Sequence, residues 1–214
     1  VGKTIPPPSP EGKPGNELLK EDPSLFGIHE SLFYHRGHTW IKVEKADVVR
    51  IGVDRFLGNL LTNVNAVILP LAGRRSTSEK NLCSIIQEEG ILQIPSPVSG
   101  LILSVNQKLK DQPGLISQDP LGEGFLLTLK PKNFQRDQRY LLPGEEALSW
   151  YLKELERFKE AILLEIPSEQ ERLGVTMQDG GIMLGGAKDL IDPGRYVRLV
   201  SAFITKKRRT VKAS

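Results

Sequence analysis

The sequence is poor in the residue types that most often build reactive or metal-binding sites. Of its 214 residues, only one is cysteine and three are histidine. The single thiol, Cys83, excludes a disulfide within the chain and any zinc or iron–sulfur site that needs several cysteines. No apolar run approaches the roughly 20 residues that a membrane-spanning helix requires. We therefore expect no metal site and no membrane span in the chain as given.

The net positive charge of the chain comes from its last nine residues and not from its body. Five basic residues fall within the last nine positions, and without them the chain has 24 basic residues against 26 acidic ones. The body is therefore near neutral and lacks the basic footprint of a nucleic-acid-binding protein. The five residues are Lys206, Lys207, Arg208, Arg209 and Lys212.

This basic tail has four open interpretations: it is solvated, or it contacts an anionic membrane surface, nucleic acid or an acidic protein. Each basic residue near an anionic bilayer contributes on the order of 1 kcal/mol of attraction. We expect a cytoplasmic protein, with peripheral membrane contact through the tail as an alternative. The sequence begins with Val1 rather than methionine, which leaves a preceding segment open.

Composition and periodicity divide the chain into four segments. Residues 1–24 form a proline-rich extended arm that includes Pro6, Pro7 and Pro8, which favour polyproline II structure. Residues 25–134 are rich in short β-like runs, residues 135–205 have helical periodicity, and residues 206–214 form the basic tail.

Residues 40–129 predict a small β domain. Strands are expected over 40–43, 48–53, 66–71, 82–87, 91–94, 101–105 and 125–129, and a short helix over 56–61 follows Asp54. Many short strands at close spacing are typical of a compact β barrel or sandwich. The turn between 82–87 and 91–94 contains Glu88, Glu89 and Gly90, and we expect the glycine to have a positive φ there.

The last third of the chain predicts two long helices. One opens after Pro143 and ends at Pro167, and the other begins at Asp192 and Pro193, as an N-cap followed by proline in the first turn. Each has an apolar stripe at spacings of three and four. The first stripe is Leu148, Tyr151, Leu152, Leu155, Phe158, Ile162 and Ile166, and the second is Tyr196, Val197, Val200, Phe203 and Ile204.

Four motifs in the β region carry a family resemblance. They are 33–40 (FYHRGHTW), 48–53 (VVRIGV), 96–100 (SPVSG) and 119–126 (DPLGEGFL). In this order and spacing the region resembles the H protein of the glycine cleavage system, a relative of lipoyl domains. The resemblance implies a barrel-sandwich hybrid of two small sheets, so we expect a mainly β protein with an α-helical appendage. We also expect Gly100 to adopt a backbone angle that valine would disfavour.

The resemblance also implies a position for a lipoyl-lysine, at the hairpin tip and eight residues before Pro97. That position is Glu89, and Glu88 precedes it. A carboxylate accepts hydrogen bonds but cannot supply the amine that forms a lipoyl amide. The nearest lysines are Lys80 and Lys108. We therefore interpret the tip as a degenerate lipoylation site without a cofactor, which is either simply solvated or an acidic contact for a basic partner.

Other candidate residues have structural interpretations. His35 and His38 are three apart, but no nearby cysteine or carboxylate cluster completes a metal site, and we expect His38 to be structural. Cys83 is expected to be a small buried hydrophobe. We interpret Glu145 with Glu146, and Glu154 with Glu156, as helix-cap or solvent-exposed charges.

These observations favour a protein that is not an enzyme. The first hypothesis is a non-acylated, H-protein-like binding or scaffold subunit of a larger assembly, with other protein subunits as partners and no small-molecule substrate. The interaction candidates are Glu88, Glu89, Lys206, Lys207, Arg208 and Arg209. The alternatives are a lipoyl carrier that shuttles an aminomethyl group in glycine cleavage, and a peripheral membrane subunit docked by the tail.

Overall fold

The computed structural model describes residues 27–166, 188–189 and 191–206, and its strands form two antiparallel sheets. The predicted proline-rich arm lies outside the described residues, as do Lys207, Arg208 and Arg209 of the tail. The backbone of Lys206 is described as the last residue of a helix. Among the described residues, no helix is both long enough and apolar enough to cross a membrane.

Seven strands form the larger sheet and three form the smaller one. The strand order is β10-β1-β2-β3-β9-β8-β5 in the first sheet and β4-β6-β7 in the second. In chain order the strands are β1 Leu32–His35, β2 Thr39–Lys45, β3 Val48–Val53, β4 Val64–Ile68, β5 Arg75–Ser76, β6 Asn81–Gln87, β7 Gly90–Pro95, β8 Gly100–Val105, β9 Leu127–Pro131 and β10 Leu142–Pro143.

The described helices are mostly short, with two long exceptions near the end of the chain. They are α1 Arg55–Leu60, α2 Lys108–Asp111, α3 Leu115–Gln118, α4 Phe134–Gln138, α5 Gly144–Glu165 and α6 Pro193–Lys206. Asp54 caps α1, because its carboxylate accepts a hydrogen bond from the Leu57 amide. This mainly β architecture with helices confirms the fold class predicted from the sequence.

The sheets enclose a core of branched aliphatic and aromatic side chains. Trp40 on β2 is almost completely buried, and its indole Nε1 donates a hydrogen bond to the Pro120 carbonyl at 3.0 Å. Ile41 and Ile51 are fully buried and face each other across the β2–β3 pair. Trp40 ties the loop before β9 to the centre of the sheet, since a buried indole N–H needs an acceptor.

The two long helices complete this core rather than forming a separate one. The predicted stripe of α5 is buried or half-buried along its length, and the five predicted stripe residues of α6 are all buried. Asp192 caps α6 as expected, accepting a hydrogen bond from the Arg195 amide at 2.9 Å. The rings of Phe158 on α5 and Phe203 on α6 meet edge to face, with centroids 5.3 Å apart. The helices therefore share the hydrophobic core of the sheets.

Two expectations about glycine were wrong. Neither Gly90 nor Gly100 has a positive φ; among the described residues, that conformation belongs to Gly27, Gly73 and two other residues, His38 and Glu79. Gly100 is needed for a different reason, which is close approach. A Cβ there would lie 2.3 Å from the Lys130 carbonyl oxygen on the neighbouring strand β9.

Gly100→Ala is expected to destabilise the protein by about 1–3 kcal/mol, because a backbone atom on β9 has to move to make room for the methyl group. Denaturant unfolding followed by circular dichroism measures this change. Gly114→Ala is the matched control: Gly114 has helical backbone angles, and only the flexible end of Gln118 lies near its missing Cβ. An equal loss of stability in the two variants would contradict the crowding at Gly100.

Candidate functional site

The tip of the β6–β7 hairpin is a two-residue turn formed by Glu88 and Glu89. Gln87 pairs with Gly90 across it. The Gln87 side-chain oxygen accepts hydrogen bonds from the amide and the hydroxyl of Thr62, at 2.7 and 2.9 Å. Glu88 accepts a hydrogen bond from the Asn63 side chain at 3.0 Å. Both glutamates are exposed, so the tip presents two carboxylates on a turn that is held by residues 62 and 63.

Helix α6 packs against this hairpin. A Cβ on Gly90 would lie 2.9 Å from Cγ1 of Val197, so a larger residue there would require the Val197 side chain or the helix to shift. Glu89 faces the first turn of α6: its Oε2 lies 4.0 Å from the position that a Cβ on Gly194 would take. The N-terminus of a helix favours negative charge. One side of the tip is therefore covered by a helix whose first turn suits a carboxylate at position 89.

Tyr196 fixes the position of α6 over the hairpin. Its hydroxyl donates a hydrogen bond to the Leu60 carbonyl at 3.0 Å, at the end of α1, and its ring is buried. Burial raises the pKa of this phenol. A neutral donor is thus maintained where α6 meets the body of the protein.

Lys80, the nearest lysine upstream of the tip, lies at the other end of the hairpin. It directly precedes β6, and its carbonyl accepts a hydrogen bond from the Ser96 amide that follows β7. At about 3.3 Å per strand residue, Lys80 lies roughly 20–25 Å from the tip. A local shift in the hairpin therefore does not bring this amine to the position of Glu89.

His35 and His38 have different partners and do not form a pair. His35 Nδ1 accepts a hydrogen bond from the Gly37 amide at 3.0 Å, so Nε2 carries the proton and donates to Glu79 at 2.7 Å. His38 Nδ1 contacts the Asp54 carboxylate at 3.0 Å. The part of the chain that the structure describes contains no group of three or more His, Cys, Asp or Glu residues able to hold a metal ion.

Asp54 is the centre of a buried polar network. One carboxylate oxygen accepts a hydrogen bond from the Leu57 amide at 2.7 Å. The other accepts one from the Tyr151 hydroxyl at 2.5 Å and one from His38 Nδ1 at 3.0 Å. The side chains of Asp54, His38 and Tyr151 are almost completely buried. Burial, followed by the charge of Asp54, raises the pKa of Tyr151 well above its usual value, so the phenol stays a donor.

The burial of Glu154 differs from the prediction made from the sequence. We expected a solvent-exposed charge, but its side chain is 1% exposed. It pairs with Arg157 Nη2 at 2.9 Å, and its carboxylate lies 3.9 Å from His38 Nε2. Glu154 follows Tyr151 by three positions and precedes Phe158 by four, so helical spacing places it on the buried stripe. This spacing in the sequence indicates that Glu154 is buried.

A cavity of about 530 Å³ adjoins His35. Its lining includes Arg36 and Arg139 as cations, Glu79 and Glu146 as anions, and the exposed Tyr140 ring. Because both charge signs are present in equal number, the cavity indicates no single class of ligand.

Cys83 occupies the position that the sequence predicted. It is 2% exposed on β6, and burial raises the pKa of its thiol from 9.0 to about 12. The neutral thiol is a poor nucleophile, and Cys83 acts as a small hydrophobic residue in the core.

Comparison with known proteins gives one consistent result. A family model described as glycine cleavage H-protein matches residues 32–154, which end within α5. A probable glycine cleavage system H protein from Thermococcus gammatolerans is 31% identical over 130 residues, which are 61% of this chain and 96% of the relative. The glycine cleavage system H protein of Coprothermobacter proteolyticus is 34% identical over 103 residues, 48% of this chain and 81% of the relative.

A solved structure shows the same fold. The crystal structure of a glycine cleavage system H protein from Mycobacterium marinum matches with a TM-score of 0.51 and 23% identity. The match covers 58% of this chain and 98% of that protein. Helix α6, which covers the hairpin, lies outside the residues that the family model matches.

We expect stability to fall at alkaline pH, because burial raises the pKa of Cys83 from 9.0 and of Tyr34 from 10.0, each to about 12. The folded state holds these protons more tightly than the unfolded chain. Their contribution is therefore fully present below about pH 9 and is lost as pH rises towards 12. Urea unfolding should show a loss of about 1–2 kcal/mol from Cys83 alone between pH 8 and 10.5.

Cys83→Ala isolates the thiol in this measurement. The variant is less stable at pH 8 because it loses buried volume, but its stability should fall less steeply with pH. A slope identical to that of the wild type would show that the thiol does not contribute.

Proposed function

Because the chain belongs to the glycine cleavage H-protein family, whose members are carrier proteins rather than enzymes, we propose that it is a non-acylated binding or scaffold subunit of a larger assembly. In this function the barrel serves as a rigid body that presents surfaces to neighbouring proteins. Other proteins of the glycine cleavage system are the first partners to test.

The observation that carries this proposal is the chemistry of the hairpin tip. A lipoyl group is attached through an amide, which requires a lysine amine. The tip residues are Glu88 and Glu89, and residues 81–107 contain no lysine. Carboxylates have no nitrogen to acylate. The residues at this tip therefore do not fit a lipoyl group.

The packing of α6 supports the same proposal. Helix α6 limits the space on one side of the tip, because a Cβ on Gly90 would lie 2.9 Å from Cγ1 of Val197 and Glu89 faces the first turn of α6. A lysine at position 89 would place a cation beside the helix N-terminus, where it is disfavoured. In place of an arm, the tip offers two exposed carboxylates that suit contact with a basic partner surface.

Intact-protein mass spectrometry after coexpression with a lipoate ligase tests the proposal. The expected result is the unmodified mass for the wild type, because no lysine occupies the tip. An H protein that carries the tip lysine serves as the positive control for the ligase. A mass increase of one lipoyl group on the wild type would overturn the proposal.

The names of the relatives favour a second candidate function, a lipoyl carrier in glycine cleavage with the arm at an unexpected lysine. Reconstitution of glycine decarboxylation with the other components of the system distinguishes the two functions. We expect no activity above background. Activity that is lost in Lys80→Arg but retained in the matched Lys108→Arg variant would favour the carrier.

A further inference from the structure

The long helices α5 and α6 together line a groove. We define the α5–α6 groove by six residues: Arg157, Leu164, Arg195, Arg198, Leu199 and Phe203. It encloses about 480 Å³. This volume is within the range of roughly 300–1,000 Å³ that is typical of binding clefts.

Among the described residues, the groove includes exposed apolar surface. Leu164 on α5 is 75% exposed, the highest value among the large hydrophobic residues that the structure describes as exposed. Leu199 on α6 is half-buried and lines the same groove. Single exposed leucines are ordinary, so it is the charge around this pair that indicates a partner.

The charge along α6 has one sign. The helix contains Arg195, Arg198 and Lys206 and no acidic residue. Arg195 pairs with Glu165 at 2.9 Å at one end of the groove, whereas Arg198 is exposed in its middle. Arg157 lies over the Phe203 ring, 3.9 Å from its centroid, and forms part of the groove wall. A negatively charged ligand with an apolar face complements this surface.

The burial of the apolar face of α6 favours a protein over a membrane as the negatively charged ligand of the groove. A helix that binds a bilayer inserts its apolar face between the lipids. In α6 that face is already buried against the hairpin and α5. In the groove, the exposed Leu164 and the half-buried Leu199 come from neighbouring helices, and one side of another helix can pack on such a pair.

We propose that the α5–α6 groove binds an acidic amphipathic helix of a protein partner. The apolar side chains of that helix pack on Leu164 and Leu199, and its carboxylates pair with the exposed Arg198, since Arg195 is already paired with Glu165. This inference rests on the proposed function, since a binding subunit needs a surface for its partner.

Fluorescence anisotropy with the full chain tests the proposal, using three designed peptides as probes. One peptide is an acidic amphipathic helix with leucines on one face, one has the same composition in scrambled order, and one has lysine in place of each glutamate. The first should bind at least about tenfold more tightly than the other two, because it matches both the leucine pair and the charge.

Variants in the groove locate the binding site. Leu164→Ser and Arg198→Glu should each raise the Kd of the acidic helix at least about fivefold. The matched controls are Leu71→Ser and Arg74→Glu, which change exposed residues in the turn after β4 and should alter the Kd less than about twofold. All four residues are exposed, so the variants should fold like the wild type, as thermal unfolding will show.

Three results would overturn the groove proposal. They are equal binding of the scrambled peptide, unchanged affinity in Leu164→Ser, and no peptide binding accompanied by binding to phosphatidylserine vesicles that the groove variants weaken. The second hypothesis for this surface, an anionic membrane, would then take its place. A lipoyl adduct in the mass measurement would overturn the proposed function without changing peptide binding, so the two failures are distinguishable.

Discussion

The buried carboxylate of Asp54 is the interaction on which the arrangement of the helices depends. A charge in the interior costs several kcal/mol unless hydrogen bonds replace its water. Here the replacements come from three places: the turn at His38, the first turn of α1, and Tyr151 on α5. Because one donor belongs to α5, the polar interior of the barrel is complete only when that helix is docked. The position of α5 therefore depends on the hydrogen bond from Tyr151 to Asp54 as well as on the burial of its apolar stripe.

The docking of α5 in turn creates the surface for α6. Phe158 and the Arg157 side chain both contact Phe203, and Arg157 also donates to the Phe203 carbonyl at 3.2 Å. Arg157 also pairs at 2.9 Å with the buried carboxylate of Glu154. Once α6 lies on α5, its other side reaches the hairpin through Val197 and the Leu60 carbonyl through Tyr196. A series of contacts therefore links Asp54, through α5 and α6, to the tip of the β6–β7 hairpin, where the family resemblance implies a lipoyl-lysine.

The sequence predicted the structural features that neighbouring residues determine. It did not predict the features that depend on contacts between residues far apart in the chain. The observed bounds of β3 match the prediction, and the capped starts of α1 and α6 were visible in Asp54 and Asp192. The two-residue strands β5 and β10 were missed because they exist only through pairing with β8 and β1. At the site, Glu88 and Glu89 were identified through the position that the family resemblance implies for the lipoyl-lysine. Helix α6 was predicted, but its packing on the tip was not, because Gly90 and Val197 are more than 100 residues apart and local patterns do not indicate such a contact.

The role of Gly90 shows why family membership alone does not describe this hairpin. In a turn, glycine usually indicates an unusual backbone angle, but here its φ is not positive and its small size admits a helix. That helix begins at Pro193, well beyond the residues that the family model matches. The fold of the matched region is therefore the family's, whereas the surroundings of the tip are set by the rest of the chain. Helix α6 borders one side of the tip while Glu88 and Glu89 stay exposed, and this arrangement, beside the absence of lysine from residues 81–107, supports the proposed binding subunit.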